Sequence, residues 1–523
     1  MTTEFKNEAL ANFTDKAVIG KMEEGLAQVN SQLGKEYQLV IGGKKFTTKE
    51  KIKSYNPADP SQVIGVSQSA DVALANKAIE TADRAFQSWQ YVSAKDRADR
   101  LFKVAEIIRR RKFELSAWLI KEVGKSWPEA DGEVCEAVDF CEFYAREALR
   151  YAKVQQCLNM PGENDTLRYI PLGVGVVIPP WNFPFAILAG MTTAAWVTGN
   201  TVVLKPSSDS PIIAQKFMEI VEEAGLPDGV VNLVTGGGGS IGDALVAHPR
   251  TRFVSFTGSK AVGLHINELA AKMQPGQKWI KRVVAEMGGK DSIVVDSDAN
   301  LEKAAKGIVS SAFGFQGQKC SACSRAIIVK DVYDKVVDLV VERTKQIKVG
   351  PTEDKDNFMG PVVNKKAFDS IRNYIEIGKK EGRLVAGGDS PKGNGYFINP
   401  TVIVDVKPGA KIDQEEIFGP VLAVIKAKDF DDALAIANAT EYGLTGAVYS
   451  KNKEHQAKAV ERFHVGNLYI NRKCTGAMVA CHPFGGFNMS GTCSKAGGKD
   501  YLLLFMQSKA VGELTGAIDK GRP

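Results

Sequence analysis

From about residue 169 onward, short apolar runs alternate with longer segments of helical periodicity, and no other feature of the chain constrains its fold as strongly. The runs at 174–178, 201–204, 230–234 and 253–256 are separated by helix-like stretches such as 211–225 and 259–273. A parallel strand is reached from its neighbour only through a crossover, so this order predicts βαβ units around a parallel sheet and a dinucleotide-binding type of domain. A second series starts near Val283: 283–285, 292–295 and 326–329 read as strands, and 301–313 and 332–349 as helices. Strand-like 401–406 and 421–426 follow, then helical 431–438. Before residue 150 the texture differs, with helical periodicity over 17–34 and 71–150 and β-like runs at 38–41 and 63–66. The expectation is two α/β domains with peripheral elements. The 523 residues accommodate this at ~100–200 residues per domain, without need of disulfides or a structural metal.

Charge narrows the partners. With 67 Lys plus Arg against 61 Asp plus Glu, the chain is near balance, and neither nucleic acid nor an anionic membrane is an expected partner. The basic run Arg109, Arg110, Arg111 and Lys112 lies beside an apolar stripe of Leu101, Val104, Ile107 and Ile108, which reads as one face of a solvated helix. The most apolar stretch, 169–198, is broken by Pro171, Gly173, Pro179, Pro180, Asn182 and Pro184 and reads as buried core rather than a membrane span. The first twenty residues have neither a secretory nor a transit composition. The eight cysteines form no framework, so a reducing, cytoplasmic setting is expected.

Three loop motifs invite a chemical reading. Gly237, Gly239 and Gly242 follow a strand-like run and precede a helical one, as in a pyrophosphate-binding turn, but within four consecutive glycines the match is cheap. Gly124-Lys125-Ser126 resembles the end of a phosphate-binding loop, yet Leu119 stands where its first glycine would be. Cys320, after the turn Phe315-Gln316-Gly317-Gln318-Lys319, is a candidate nucleophile, against the commoner fate of a buried apolar cysteine.

Together with Pro180-Trp181-Asn182-Phe183-Pro184, Phe256-Thr257-Gly258-Ser259, Glu286-Met287-Gly288-Gly289-Lys290 and Glu416-Ile417-Phe418-Gly419-Pro420, the Cys320 segment resembles the aldehyde dehydrogenase superfamily in order and spacing. The likeness extends from Tyr55-Asn56-Pro57 to the C-terminal segment. It implies two Rossmann-like α/β domains plus a small β-flap for oligomerisation. The expected division is 1–147 with 171–284 for the cofactor, 285–489 for catalysis, and 148–170 with 490–523 for the flap. Within the superfamily, the segments 136–146, 317–322, 471–477 and 483–492 are most similar to members that oxidise L-glutamate γ-semialdehyde to L-glutamate.

The resemblance implies roles for individual residues. Cys320 would attack the aldehyde carbon, Asn182 and the Cys320 N–H would hold the oxyanion, and Glu286 would activate the water that releases the acid. Lys205 would bond the adenosine ribose, Gly258 and Ser259 would face the pyrophosphate, and Glu416 would grip the nicotinamide ribose with Phe418 beside the ring. Ser208 replaces a glutamate common in strictly NAD-dependent relatives, so NAD is the expected cofactor and NADP is not repelled. For the substrate, Ser321, Gly476 and Ala477 would take the α-carboxylate and Glu136 the α-ammonium group, with Phe185 and Phe487 as walls.

No metal is expected. Cys320 and Cys323 form C-x-x-C, open to a redox-switch reading, while Cys474, Cys481, Cys493 and His482 match no familiar zinc spacing. Edge strands in a flap would call for a homodimer or an assembly of dimers. The alternatives are another semialdehyde dehydrogenase of the superfamily, for succinate or methylmalonate semialdehyde, or a catalytically silent binding relative.

Overall fold

The computed structural model describes residues 4–515. Its first sheet has seven strands: β1 (Leu39–Ile41), β2 (Lys44–Phe46), β3 (Val174–Ile178), β4 (Thr201–Leu204), β5 (Val231–Leu233), β6 (Thr251–Thr257) and β7 (Arg282–Glu286). In space they run β7-β6-β3-β4-β5-β1-β2. Strands β3 to β7 are parallel, and the β1–β2 hairpin is added antiparallel at one edge.

Both faces of this sheet are covered, which is why its strands read as unbroken apolar runs. Val177, Val202 and Leu204 pack into one core, formed with helix α1 (Trp127–Tyr151) and helix α2 (Ala186–Val197) among others. Val174, Val176 and Val203, pointing the other way, join a second core with Ala75, Ala78 and Ile79.

The second sheet repeats the plan with β8 (Ser292–Val295), β9 (Arg325–Val329), β10 (Arg383–Ala386), β11 (Thr401–Val404), β12 (Val421–Ala427), β13 (Thr445–Tyr449) and β14 (Asn467–Ile470), in the order β10-β11-β12-β9-β8-β13-β14. All neighbours are parallel except β10–β11. Ile293 and Val295 face one core and Val294 the other.

The sheets place two boundaries differently from the sequence reading. Residues 283–285 belong to β7 of the first sheet, so the crossing into the second sheet falls within 287–291. Segment 490–505 is not part of a flap: it returns along β7, where Met287 donates to Ser490 O and Thr492 to Ala285 O, and Tyr501, Leu502 and Phe505 enter the first core. The flap is a three-stranded sheet of Met506–Leu514, Glu163–Pro171 and Gln155–Gln156, with Met506–Leu514 as an edge. The basic run is spent on internal ion pairs: Arg109 with Glu8 and Glu142, Arg110 with Glu223, Arg111 with Glu114 and Glu219, and Lys112 with Asp131. Among the described residues, no helix is long and apolar enough to cross a membrane.

Candidate active site

The nucleophile loop follows helix α4 (Leu301–Phe313) and is held under strain. Phe315, Gln316 and Gly317 all have left-handed backbone, at φ 48°, 58° and 68°. For the two non-glycine residues this costs roughly 1–3 kcal/mol each. Buried amides fix it: Gln316 Nε2 donates to Gly124 O at 3.0 Å and Pro361 O at 2.8 Å, and Gln318 Oε1 accepts from Val363 N–H at 2.9 Å. Gly317 is required here, since a Cβ would lie 2.3 Å from Gly419 O. That close approach brings the Glu416–Pro420 segment against the nucleophile loop.

The sequence Glu286-Met287-Gly288-Gly289-Lys290 is explained by what approaches it. A Cβ on Gly288 would sit 2.0 Å from Glu416 Oε2, and one on Gly289 would sit 2.7 Å from Cys320 O. Gly289 N–H donates to Glu416 Oε1 at 3.1 Å. The strand carrying Glu286, the Cys320 backbone and the Glu416 carboxylate thus converge on two glycines. Asn182, 4% exposed, donates its amide to Gln318 O at 3.0 Å, two residues before Cys320. Trp181 meets Phe418 edge-on at 5.5 Å.

The titratable groups are strongly perturbed. Burial pushes the Cys320 thiol well above its usual range, and Asp291, Glu286 and Glu416 add to it, so the resting thiol is protonated. Burial also raises Glu286 to about 7, against hydrogen bonds from Ser494 and Gly486. Glu416 is raised to about 7 by burial, countered by the Gly289 N–H and Lys290.

At the carboxyl edge of the first sheet, Lys205 directly follows β4. It is 5% exposed, desolvation lowers it to about 8, and among the described residues its ammonium donates to Pro206 O at 3.3 Å. The glycine run is adjacent: a Cβ on Gly242 would be 3.9 Å from Lys205 Cε, and Ser208 Oγ, exposed, donates to Gly236 O at 3.4 Å. Ser259 caps helix α3 (Lys260–Ala271) by position, but its hydroxyl makes no capping bond, and Gly258 N–H donates to Glu286 O at 3.0 Å. These groups fit a dinucleotide. A buried ammonium with unused donors, a free helix N-terminus and a nearly sequestered carboxylate line the strand ends where ligands of such sheets bind.

A charged cluster on helix α1 flanks the nucleophile loop. Glu129 takes Lys319 with both oxygens at 2.7 Å. Glu133 accepts from Phe185 and Ala186 N–H at the start of α2 and pairs with buried Lys125 at 2.9 Å. Glu136 forms no hydrogen bond or ion pair among the described residues, and burial followed by neighbouring Glu133 raises it to about 8. The loop 472–477 closes beside this cluster. Arg472 donates to Thr475 O and Gly476 O at 2.9 Å each, Gly476 has φ 78°, and Cys474 Sγ lies 3.4 Å from Ser321 O.

One expectation changes. Phe185 is fully buried and packs on Phe217 at 6.2 Å, so it is core; Phe183, under Lys125 at 3.7 Å and against Phe315, is the aromatic side chain that meets the charged cluster. The Phe487 ring lies 5.1 Å from that of His464 and 5.5 Å from the Lys495 ammonium. The Cys323 thiol faces inward to Arg325 O at 3.3 Å and shares a core with Cys474. Sequence reasoning gave no role to Phe183 or Ser494 and met Lys125 only in a phosphate-loop-like run; Phe183 carried a signal as the residue after Asn182 in a quoted motif.

The chain belongs to the aldehyde dehydrogenase family, whose profile matches residues 45–511. It is 60% identical over 514 residues to 1-pyrroline-5-carboxylate dehydrogenase of Geobacillus sp. (strain WCH70), covering 98% of this chain and 100% of that one. The enzyme of that name from Anoxybacillus flavithermus (strain DSM 21510 / WK1) is 59% identical with the same coverage. Among solved structures, 1-pyrroline-5-carboxylate dehydrogenase from Thermus with bound NAD superposes with a TM-score of 0.97 at 50% identity, over 98% of this chain and 100% of that chain.

Proposed function

We propose that this chain oxidises L-glutamate γ-semialdehyde to L-glutamate with NAD. The observation that carries the substrate reading is the state of Glu136. Of the three glutamates on its helix face, Glu129 and Glu133 are committed to lysines and backbone, and Glu136 alone is left to receive an ammonium group. Ser321 with the N–H groups of Gly476 and Ala477 would hold the α-carboxylate. Arg472 supports this by tying back two carbonyls of that loop, leaving donors to face the ligand.

The chemistry follows from the residues around Cys320. Its thiol must lose a proton before attack, because burial and three carboxyl groups oppose ionisation. Attack on the aldehyde carbon places charge on the former carbonyl oxygen, which the Asn182 amide and the Cys320 N–H would stabilise by roughly 3 kcal/mol per donor. Lys205, Ser259, Glu416 and Phe418 would hold the dinucleotide, with Ser208 imposing no charge against NADP. When bound, NAD supplies the hydride acceptor. The resulting thioester on Cys320 is hydrolysed by water that Glu286 deprotonates, and a carboxyl raised to about 7 is matched to that task at neutral pH.

A homodimer or an assembly of dimers is supported by the flap, whose strand Met506–Leu514 is an edge among the described residues. A cytoplasmic setting fits eight free cysteines. Product inhibition tests the substrate reading. L-Glutamate should compete with the aldehyde at least about tenfold better than glutarate, which lacks the ammonium group; equal inhibition would contradict it.

A further inference from the structure

The Glu286 carboxylate rests on the C-terminal segment. Both oxygens of Glu286 are taken by the C-terminal segment: Ser494 Oγ donates to Oε1 at 2.7 Å, Ser494 N–H to Oε1 at 3.3 Å, and Gly486 N–H to Oε2 at 3.3 Å. Among the described residues, neither oxygen bonds to Cys320. The hydroxyl bond is the short one, and Ser494 is 4% exposed, so water does not replace it readily.

The loop is built to present that serine. Its neighbours Cys493 and Lys495 have left-handed backbone at φ 57° and 53°, a conformation that side chains disfavour, and Gly491 stands at φ 150°. Room for the carboxylate comes from two glycines: a Cβ on Gly485 or Gly491 would approach Glu286 Oε1 to 3.1 and 3.2 Å. Thr492 locks the loop to β7, its Oγ1 accepting from Ala285 N–H at 3.1 Å. Lys495 is held apart by Gly466 O at 2.6 Å and Gly485 O at 2.9 Å, so the neighbouring ammonium is not the clamp.

We propose that Ser494 is a positioning residue for Glu286: its hydroxyl, donating to Oε1 at 2.7 Å, holds the carboxylate in the orientation from which it takes the proton of the water that hydrolyses the thioester. This rests on the reading of Glu286 as base. The charged and titratable groups facing Glu286 are Lys495 on the same loop, Cys320 on the nucleophile loop and Tyr501 in the C-terminal turn. A hydroxyl donating to a carboxylate favours its charged form, so losing it makes the base harder to ionise.

The test uses p-nitrophenyl acetate, whose burst reads acylation of Cys320 and whose steady phase reads deacylation, with no dependence on the natural aldehyde. In Ser494→Ala, the acidic limb of the steady phase should move up by about one pH unit while the burst amplitude is kept. Ser494→Thr, which retains the hydroxyl, should return the limb to its wild-type position. A limb that stays in place in Ser494→Ala, a burst lost with it, or a wild type that forms no acyl-enzyme would overturn the proposal. If the limb moves as expected but glutamate γ-semialdehyde is not oxidised, the substrate reading fails and this one stands.

Discussion

The Asn182 side-chain amide donates to the carbonyl oxygen of Gln318 at 3.0 Å, joining the loop after β3 of the first sheet to the nucleophile loop of the second. The bond aims the amide at the segment from which Cys320 projects, and it spans 136 residues of chain. Asn182→Ala should therefore lower kcat by about 10²–10³-fold through the lost oxyanion donor. Single-turnover kinetics should assign the loss to acylation; a slowed hydrolysis step with normal acylation would argue against the role.

As the proposed base, Glu286 should set the pH dependence. As a base it acts only when ionised, and burial raises it to about 7. Thioester hydrolysis should rise about tenfold per pH unit below that value and level off above it. Glu286→Gln should remove this limb and slow hydrolysis by about 10²–10⁴-fold. A rate that is flat from pH 5.5 to 8 in the wild type would speak against Glu286 as the base.

Gly288 tests the cofactor assignment without touching the nucleophile. A Cβ there would lie 2.0 Å from Glu416 Oε2, so Gly288→Ala must push that carboxylate aside. The KM for NAD should rise about tenfold or more, for the roughly 1–3 kcal/mol that overpacking costs. An unchanged KM, with circular dichroism showing the fold intact, would remove Glu416 from the cofactor site.

The two cysteines of the C-x-x-C pattern should separate cleanly. Cys320→Ala should abolish dehydrogenase turnover while leaving NAD binding. Cys323 is 1% exposed and turned to Cys474 in the core, so peptide mapping after peroxide treatment should find Cys320 oxidised without a bond to Cys323. A 320–323 cross-link would contradict the packing.

Short motifs were the legible part of this chain. Cys320, Glu286, Asn182 and Glu416 lie in segments whose resemblance to the aldehyde dehydrogenase superfamily marks them, and the alternation that predicts βαβ units is a property of neighbouring residues. What stayed illegible depends on distant packing. Phe183 and Phe185 lie two apart in an irregular loop, and only the start of α2, where Phe185 N–H bonds to Glu133, decides that one ring is core and the other lines the charged cluster. Ser494 bonds to a carboxylate 208 residues away. The boundary near 283–291 was misplaced because β7 joins its sheet by hydrogen bonds to β6, which leave no trace in the strand's own composition.

The central claim is that the site selects a substrate with both an ammonium and a carboxylate group, and initial rates with NAD test it directly. For the wild type, kcat/KM with L-glutamate γ-semialdehyde should exceed that with propanal or hexanal by at least about 10²-fold, and Glu136→Gln should cut that preference about tenfold or more. Equal or better turnover of propanal or hexanal by the wild type would contradict the account.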